Sequence, residues 1–191
     1  MQDDSRRSNK DRSAAMRQAL INAGRHLFTE KGFAATGTPD IVAAAGVTRG
    51  ALYHHFADKE ALFAATVRAE AEAVAKAVRS AELPADPLQA LKAGGQVWLD
   101  AMQAPGRARL LLVDGPAVLG RAAMDALDAE TGGQTLAEGL AALRPDESVR
   151  ELAALLSAAF DRAALAIVAG EKPEPWLHAL EGLIDNLSAA A

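Results

Sequence analysis

Residues 36–63 read TGTPDIVAAAGVTRGALYHHFADKEALF, and this stretch decides the fold of the N-terminal part of the chain. Thr38 is a suitable N-cap, and Pro39 suits the first helical position because it lacks only an N–H that would be unpaired there. A short helix is therefore predicted from about Pro39 to Ala45. Gly46 is placed to close that helix in the left-handed conformation.

A second short helix is predicted directly after this glycine. Thr48 can cap it, and Arg49 to Phe56 form it. Asp58 then caps a long helix that ends before Pro84. Two short helices joined by a turn of about three residues around a glycine predict a helix-turn-helix.

The rest of the chain also has helical periodicity. An upstream helix is predicted over 14–31 and ends at Gly32, which gives a three-helix N-terminal unit. Downstream helices are predicted around 88–102, 121–143 with a break at Gly132-Gly133, 149–167 and 176–187. Residues 111–120 are predicted to form a bent or short-helical connection. With 46 Ala among 191 residues and only 4% aromatics, an all-α fold is expected, a three-helix domain followed by a helical bundle.

Composition excludes several classes of site. The chain has no Cys, so it has neither disulfides nor thiolate metal sites. The polar N-terminus does not resemble a signal peptide, and no stretch has about 20 apolar residues without a charge. We expect a cytoplasmic protein with no membrane partner.

Charge is divided unevenly along the chain. The net charge is −5 overall, but residues 1–60 hold nine Lys/Arg against seven Asp/Glu, and residues 61–191 hold eleven against eighteen. Residues 1–13 form a predicted flexible basic arm, with Arg6, Arg7, Lys10 and Arg12 ahead of any apolar periodicity. The arm is either a source of phosphate contacts or a solvated tail.

Residues 15–63 resemble the DNA-binding domain of the TetR family of transcriptional regulators. The resemblance rests on Asp40-Ile41, on AAGVTRGALYHHF at 44–56 and on KEALF at 59–63. Leu27-Phe28 and Gly32-Phe33 are in register with it. It implies a sequence-specific regulator, a repressor more than an activator, that binds an inverted repeat of double-stranded operator DNA as a homodimer. We place the DNA-binding domain at 1–60 and an effector-binding and dimerisation domain at 61–191.

The resemblance also implies roles for individual residues. Thr48, Arg49 and Gly50 would enter the major groove, Tyr53 and His54 would hold phosphates, and Lys59 would clamp the DNA backbone. Arg49 is the best candidate for a base contact because its guanidinium can pair with guanine through two hydrogen bonds. Taken singly, Tyr53 could equally be half-buried core, His54 a plain surface residue and Lys59 a solvated charge.

Two positions depart from the family pattern. Gly37-Thr38-Pro39 stands where Thr or Ser followed by an apolar residue is usual, which moves the expected cap, and a candidate DNA contact, to Thr38. Val42 stands where Ala is common, and it should slightly alter packing between the first two helices. Neither change removes the motif.

The C-terminal half is expected to dimerise and to bind an unidentified small effector, as TetR-like regulators often do. Residues 109–120, RLLLVDGPAVLG, resemble a segment of one subgroup of the family. The last two helices are the predicted dimer face, through Ala158, Ala159, Ala163, Leu180, Ile184 and Leu187, although these residues could equally pack inside the subunit. The predicted pocket is apolar with a few polar groups, and its candidates are Trp98, Met102, Arg109, Leu112, Asp114, Phe160 and Asp161.

Other function classes find little support. The four His are scattered, there is no HExxH, GxxxxGK[ST] or GxSxG motif, and Asp125, Asp128 and Glu130 are typical of a solvated helix face. We therefore expect no catalytic residues, no cofactor and no metal. A DNA-binding protein without an effector and a helical adaptor that does not bind DNA remain the alternatives.

Overall fold

The protein is described by a computed structural model that covers residues 2–145 and 148–189. Side chains are described for 10–145 and 148–187. Within these residues the regular structure is entirely helical, which confirms the expected all-α fold.

The chain forms eleven α-helical segments and one π-helical turn within the described ranges. They are α1 (Gln2–Ala35), α2 (Thr38–Ala45), α3 (Arg49–His55), α4 (Lys59–Arg79), α5 (Pro87–Met102), α6 (Arg107–Arg109), the π turn (Leu110–Asp114), α7 (Gly115–Leu119), α8 (Arg121–Glu130), α9 (Gly132–Leu143), α10 (Arg150–Val168) and α11 (Pro173–Ala189).

Residues 2–13, which were expected to form a flexible arm, belong to helix α1. No Gly or Pro occurs in 2–23, so nothing in the sequence stops the helix from continuing past its last buried turn. Lys10 and Arg12 are exposed on it, whereas the side chains of Arg6 and Arg7 lie outside the described residues. Helical geometry is lost at Gly32 (φ 77°, ψ 167°), where the upstream helix was predicted to end.

The first three helices and the start of α4 share one hydrophobic core. Leu20 and Phe28 of α1, Ile41 of α2, Leu52 of α3 and Leu62 of α4 are fully buried in it. The core also contains an aromatic cluster, in which the Phe63 ring meets the rings of Phe28 and Phe33 edge-on with centroids 5.0 Å apart. Burial on this scale fixes α3 against its neighbours and leaves its opposite face outside.

The C-terminal helices form a bundle that begins with α4, which packs on α1 and also on α5. The bent or short-helical connection predicted at 111–120 is confirmed. It comprises most of the π turn and α7, and the short α6 precedes it. The turn before α6 lies directly on α1 at Gly106, which has φ 76°. A Cβ at Gly106 would stand 2.6 Å from the Thr29 methyl carbon, so only glycine permits this contact.

Three residues of the predicted dimer face are covered within the subunit. Leu180 (4% exposed) and Ile184 (1%) are buried within the subunit, as is Ala163 of α10, because α11 packs on α5 and α10. Lys92 of α5 holds α11 in place through an ion pair to Asp185 at 2.6 Å. The outward residues are others, among them Leu155 (71% exposed) and Leu183 (50%).

Candidate nucleic-acid interface and cavity

The turn between α2 and α3 has the predicted left-handed glycine and the predicted helix caps. Gly46 adopts φ 65°, and its N–H and that of Val47 donate to carbonyls of the last turn of α2. The Thr48 hydroxyl accepts from the Ala51 N–H at 3.2 Å and so caps α3. Asp58 caps α4 in the same way, accepting from the Ala61 N–H at 2.7 Å.

The start of α2 differs from the prediction by one residue. Gly37, in extended conformation, is the N-cap, and Thr38 is already helical, with no side-chain cap at this end. Pro39 is compatible with the start because its missing N–H belongs to the first turn. The Thr38 hydroxyl is thereby freed for another contact, with Tyr53 across the α2–α3 pair.

Helix α3 presents a polar face to the exterior. Thr48, Arg49, Gly50, Tyr53 and His54 are all exposed. Leu52, on the opposite side of the same helix, is fully buried. Each residue predicted to contact DNA from α3 therefore lies on the outside of the molecule, on one helix held from behind by the core.

Tyr53 is the centre of a small cluster on this face. Interaction of its hydroxyl with Arg49, and then with Thr38, lowers the pKa of Tyr53 below its ordinary value. The Arg49 guanidinium carbon lies 5.5 Å from the centroid of the Tyr53 ring. The cluster orients the Arg49 side chain along the helix, with its donors at the surface.

Gly50 has no internal reason to be glycine. A Cβ built at this position would have the Thr48 hydroxyl oxygen as its nearest neighbour, 3.9 Å away, and would otherwise lie in open space. Glycine in the first turn of a helix costs about 1 kcal/mol relative to alanine. No neighbouring atom of the described residues therefore requires a glycine at this position.

The basic surface next to α3 includes a residue that sequence reasoning missed. Arg17 of α1 is exposed, and its guanidinium carbon lies 5.1 Å from the centroid of the Phe56 ring at the end of α3. Desolvation, followed by the nearby charges of His54 and Arg17, lowers the pKa of His55. Only the packing of α1 beside α3 reveals Arg17, since the two residues are 39 positions apart in the sequence.

Lys59 has a structural partner that the sequence did not indicate. Its Nζ donates to the Phe33 carbonyl at 2.8 Å and to the Thr36 carbonyl at 3.0 Å, and lies 4.2 Å from the centroid of the Phe33 ring. An ammonium group has three N–H donors, so one remains for a phosphate. Lys59 thus closes the loop after α1 whether or not DNA is present.

The helical bundle encloses a large cavity of about 810 Å³ and, beside it, an apolar one of about 110 Å³. Trp98 of α5 lines both cavities, and its indole meets the Phe160 ring edge-on at 5.8 Å. The Phe160 ring lies over Gly95, where a Cβ would be 2.5 Å from it. This close approach of α10 to α5 requires a residue without a side chain.

The predicted pocket residues divide into three groups. Trp98, Met102, Leu112 and Asp161 line the larger cavity, and Phe160 lines the smaller one. Arg109 and Asp114 line neither; they form an ion pair at 3.3 Å, and the Arg109 guanidinium lies next to the break in α1 at Gly32. Arg109 and Asp114 lie at the contact between the bundle and α1 because of the path of the chain through 107–119. Helical periodicity does not predict that path.

Two aspartates of the larger cavity have shifted pKa values. Burial raises the pKa of Asp161 to about 6, and the charge of Asp128 adds to this effect. Burial also raises the pKa of Asp128, which accepts hydrogen bonds from the Gly133 N–H and the Ser157 hydroxyl, both at 3.1 Å. Asp128 and Ser157 were not predicted as pocket residues, because α8 and α10 meet only in the folded bundle.

The described ranges contain neither a membrane-spanning helix nor a metal-binding cluster. No helix in 2–145 or 148–189 is both long and apolar enough to cross a bilayer. Among the residues described, no group of three or more His, Asp or Glu side chains is arranged to hold a metal ion.

Two family models match the chain. The model "Bacterial regulatory proteins, tetR family" matches residues 20–66, which contain α2, α3 and the cluster around Tyr53. The model "Tetracyclin repressor-like, C-terminal domain" matches residues 88–190, more than half of the chain.

Relatives of known name resemble the N-terminal part. The transcriptional regulator AcrR of Shigella flexneri is 34% identical over 88 residues, which are 45% of this chain and 41% of AcrR. The transcriptional repressor AcnR of Corynebacterium glutamicum is 37% identical over 68 residues, 36% of each chain. The matched segment is less than half the length of either relative.

Solved structures resemble the chain over almost its whole length. A TetR-family regulator of Pectobacterium atrosepticum is 28% identical with a TM-score of 0.66, covering 93% of this chain and 94% of its own. A transcriptional regulator of Rhodococcus sp. Rha1 is 26% identical with a TM-score of 0.72, covering 92% and 97%. The likeness therefore extends through the helical bundle.

Proposed function

This chain belongs to the TetR family of bacterial regulatory proteins, and we propose that it is a sequence-specific DNA-binding repressor that a small-molecule effector releases from its operator. The family is one of regulators and not of enzymes. Repression is favoured over activation because AcnR is named as a repressor. In this proposal residues 1–60 bind DNA, and residues 61–191 bind the effector and form the dimer.

The exposed face of α3 carries the proposal. A helix fixed from behind by Leu52 and Phe56 can enter a major groove as a rigid body, and its first turn meets the bases. In that position Thr48, Arg49 and Gly50 approach the base edges, and Arg49 has the donors for a bidentate contact with guanine.

Phosphate contacts would flank this helix. Tyr53 and His54 lie one turn further along α3, and the free N–H of Lys59 points from the start of α4, where helix N-termini attract anions. Thr38 acts through the Tyr53 hydroxyl or meets a phosphate directly. Arg17 is added to the predicted set because it lies at the edge of the same surface.

A second copy of the chain is the proposed partner. TetR-family regulators bind operator DNA as dimers, and an inverted-repeat operator requires a two-fold arrangement. The exposed apolar residues of α10 and α11, namely Leu155, Ala179 and Leu183, replace the predicted residues that are buried within the subunit. A face of leucines with a small alanine permits close helix packing between subunits.

The effector site is proposed in the larger cavity. Its volume of about 810 Å³ lies in the usual range for small-molecule sites, and its lining combines apolar walls with a few polar groups. The cavity is bounded by α4, which also carries Lys59 at its start. A ligand that favours one position of α4 over another therefore changes the DNA-binding face.

The experiment begins with selection of bound sequences from random DNA, followed by footprinting of the selected site. Binding is then measured by fluorescence anisotropy for the wild type, for Arg49→Ala, and for Lys76→Ala as the matched control. Lys76 is an exposed cation at the far end of α4, so its removal changes the net charge equally. We expect Arg49→Ala to lose about tenfold or more in affinity, and Lys76→Ala to match the wild type.

The alternatives give different results in the same experiment. An adaptor that does not bind DNA selects no inverted repeat and shows no steep salt dependence. A DNA-binding protein without an effector binds the repeat, but no compound in a metabolite screen releases it.

A further inference from the structure

The lining of the larger cavity combines apolar side chains with acidic ones. Val74, Met102, Leu111 and Leu112 line it from α4, α5 and the π turn, and Trp98 stands beside them. Asp128 of α8 and Asp161 of α10 line it as well. Ser157, which donates to Asp128 at 3.1 Å, lies one turn before Asp161 on α10, so the two carboxyl groups belong to the same wall. Asp128 is exposed and Asp161 is partly buried.

The two carboxyl groups have unused hydrogen-bonding capacity. Asp128 accepts one hydrogen bond on each oxygen, from Gly133 and from Ser157, whereas two carboxylate oxygens offer about four acceptor sites. Within the described part of the chain, Asp161 has no hydrogen bond or ion pair. A partly buried carboxylate without a hydrogen-bond or ion-pair partner is stabilised when a ligand supplies a hydrogen-bond donor or a positive charge.

The remaining charged groups of the cavity do not satisfy this pair. The charge of Arg121 acts on Asp161, but Arg121 forms its ion pair with Asp125, at 3.1 Å, where both side chains are largely exposed. Arg150 also lines the cavity and is exposed. With three aspartates against two arginines, the lining has an excess of negative charge.

We propose that the cavity binds an amphipathic organic cation, with its apolar body against Trp98, Met102 and Leu112 and its positive nitrogen between Asp128 and Asp161. This inference rests on the proposed function, since it names the chemical class of the effector. A volume of about 810 Å³ accepts a ligand of drug-like size.

Other ligand classes fit less well. An anionic ligand would place a third negative charge beside Asp128 and Asp161, and it would compete with Asp125 for Arg121. A neutral ligand would bury the two carboxyl groups further without neutralising them. A cation relieves the desolvation that raises the pKa of both groups.

The test uses three probes with one apolar body and different heads, namely phenylhexylamine, phenylhexanol and phenylhexanoate. Binding at neutral pH is followed by Trp98 fluorescence in a Trp176→Phe background and by calorimetry. We expect the amine to bind at least about tenfold more tightly than the alcohol, because a charge-assisted hydrogen bond is stronger than a neutral one. The carboxylate should bind most weakly.

Two variants locate the head group. Asp161→Asn keeps the shape of the side chain and should reduce the preference for the amine over the alcohol to within about twofold. Glu138→Gln removes the same charge from an exposed position on α9 outside the cavity, and should leave the preference intact. The proposal is overturned if the alcohol or the carboxylate equals the amine, if Asp161→Asn keeps the preference, or if none of the three probes binds.

Failure of the ligand class and failure of the proposed function give different results. DNA binding by the free protein is measured without any probe, so it can succeed while the amine fails to bind. Conversely, an amine that binds in the cavity of a protein with no affinity for DNA supports the ligand class and removes the repressor function.

Discussion

Glu70 and Arg107 form an ion pair at 2.8 Å that joins α4 to the start of α6. The second oxygen of Glu70 accepts from Nε of Arg25 on α1, also at 2.8 Å. The Arg25 guanidinium also donates a hydrogen bond to the Pro105 carbonyl, and the Arg107 guanidinium donates one to the Ala101 carbonyl. One nearly buried carboxylate thus holds together α1, α4 and the bend that follows α5.

Replacing this carboxylate by an amide is expected to destabilise the protein. Glu70→Gln leaves two guanidinium groups, both partly buried, without their counter-charge, and should lower the free energy of unfolding by about 2–4 kcal/mol. Glu72→Gln, on the exposed side of α4, is the matched control and should change it by less than about 0.5 kcal/mol. Urea unfolding of both variants tests this, and equal midpoints would contradict it.

The same ion pairs predict an acid-dependent loss of stability. Burial acts to raise the pKa of Glu70, but the hydrogen bonds from Arg25 and Arg107 outweigh it, and the pKa lies below its ordinary value of 4.5. The stabilisation is therefore complete above pH 4.5 and is lost as the pH falls through the lower folded-state pKa. Unfolding curves of the wild type and Glu70→Gln should converge below that pH, and a constant difference would exclude the mechanism.

The contribution of Asp161 to the stability of the protein has the opposite pH dependence. Its pKa is about 6 in the folded protein against an ordinary 3.8, so the folded state binds the proton more tightly. Stability should therefore rise as the pH falls from 7 towards 4. Asp161→Asn should stabilise the protein by roughly 1–2 kcal/mol at pH 7 and remove this dependence. Thermal melts at pH 7 and 5 measure both effects, and a variant no more stable than the wild type at pH 7 would refute the assignment.

Local chemistry made much of the DNA-binding half predictable. Thr48 and Asp58 cap helices through bonds to residues three positions away, and Gly46 closes α2 within one turn, so sequence order determines each contact. The error at Thr38 has the same origin. Gly37 and Thr38 are both acceptable caps next to Pro39, and the local sequence does not decide between them.

Contacts between distant segments were not predictable in this way. Lys59 and Phe33 are 26 positions apart, and nothing in either segment indicates that the ammonium meets two carbonyls there. The apolar periodicity of α11 correctly predicted a buried face, yet periodicity does not say whether the same subunit or a second one covers it. That distinction depends on how α11 lies against α5, which only the folded structure shows.

The dimer proposal predicts different outcomes for two faces of the last helices. Leu155→Glu places a charge on the exposed face of α10 and should dissociate the dimer while the monomer stays folded. Ile184→Glu buries a charge within the subunit and should unfold it, at a cost of several kcal/mol. Analytical ultracentrifugation with circular dichroism distinguishes the two. A folded dimer for Leu155→Glu would show that another surface forms the interface.

Gly50 and Gly95 offer a comparison between a glycine required by function and one required by packing. At Gly95 a Cβ would stand 2.5 Å from the Phe160 ring, so Gly95→Ala should destabilise the protein by about 1–3 kcal/mol.

At Gly50 a Cβ meets nothing closer than 3.9 Å, so Gly50→Ala should leave the fold intact and stabilise α3 by up to about 1 kcal/mol. The same methyl group would nevertheless stand between α3 and the floor of a major groove. We therefore expect Gly50→Ala to raise the melting temperature and lower operator affinity, measured by thermal melts and anisotropy. Ala51→Ser, one position along the helix, controls for a change of side chain beside the cap. If Gly50→Ala bound the operator as tightly as the wild type, the first turn of α3 would not approach the bases.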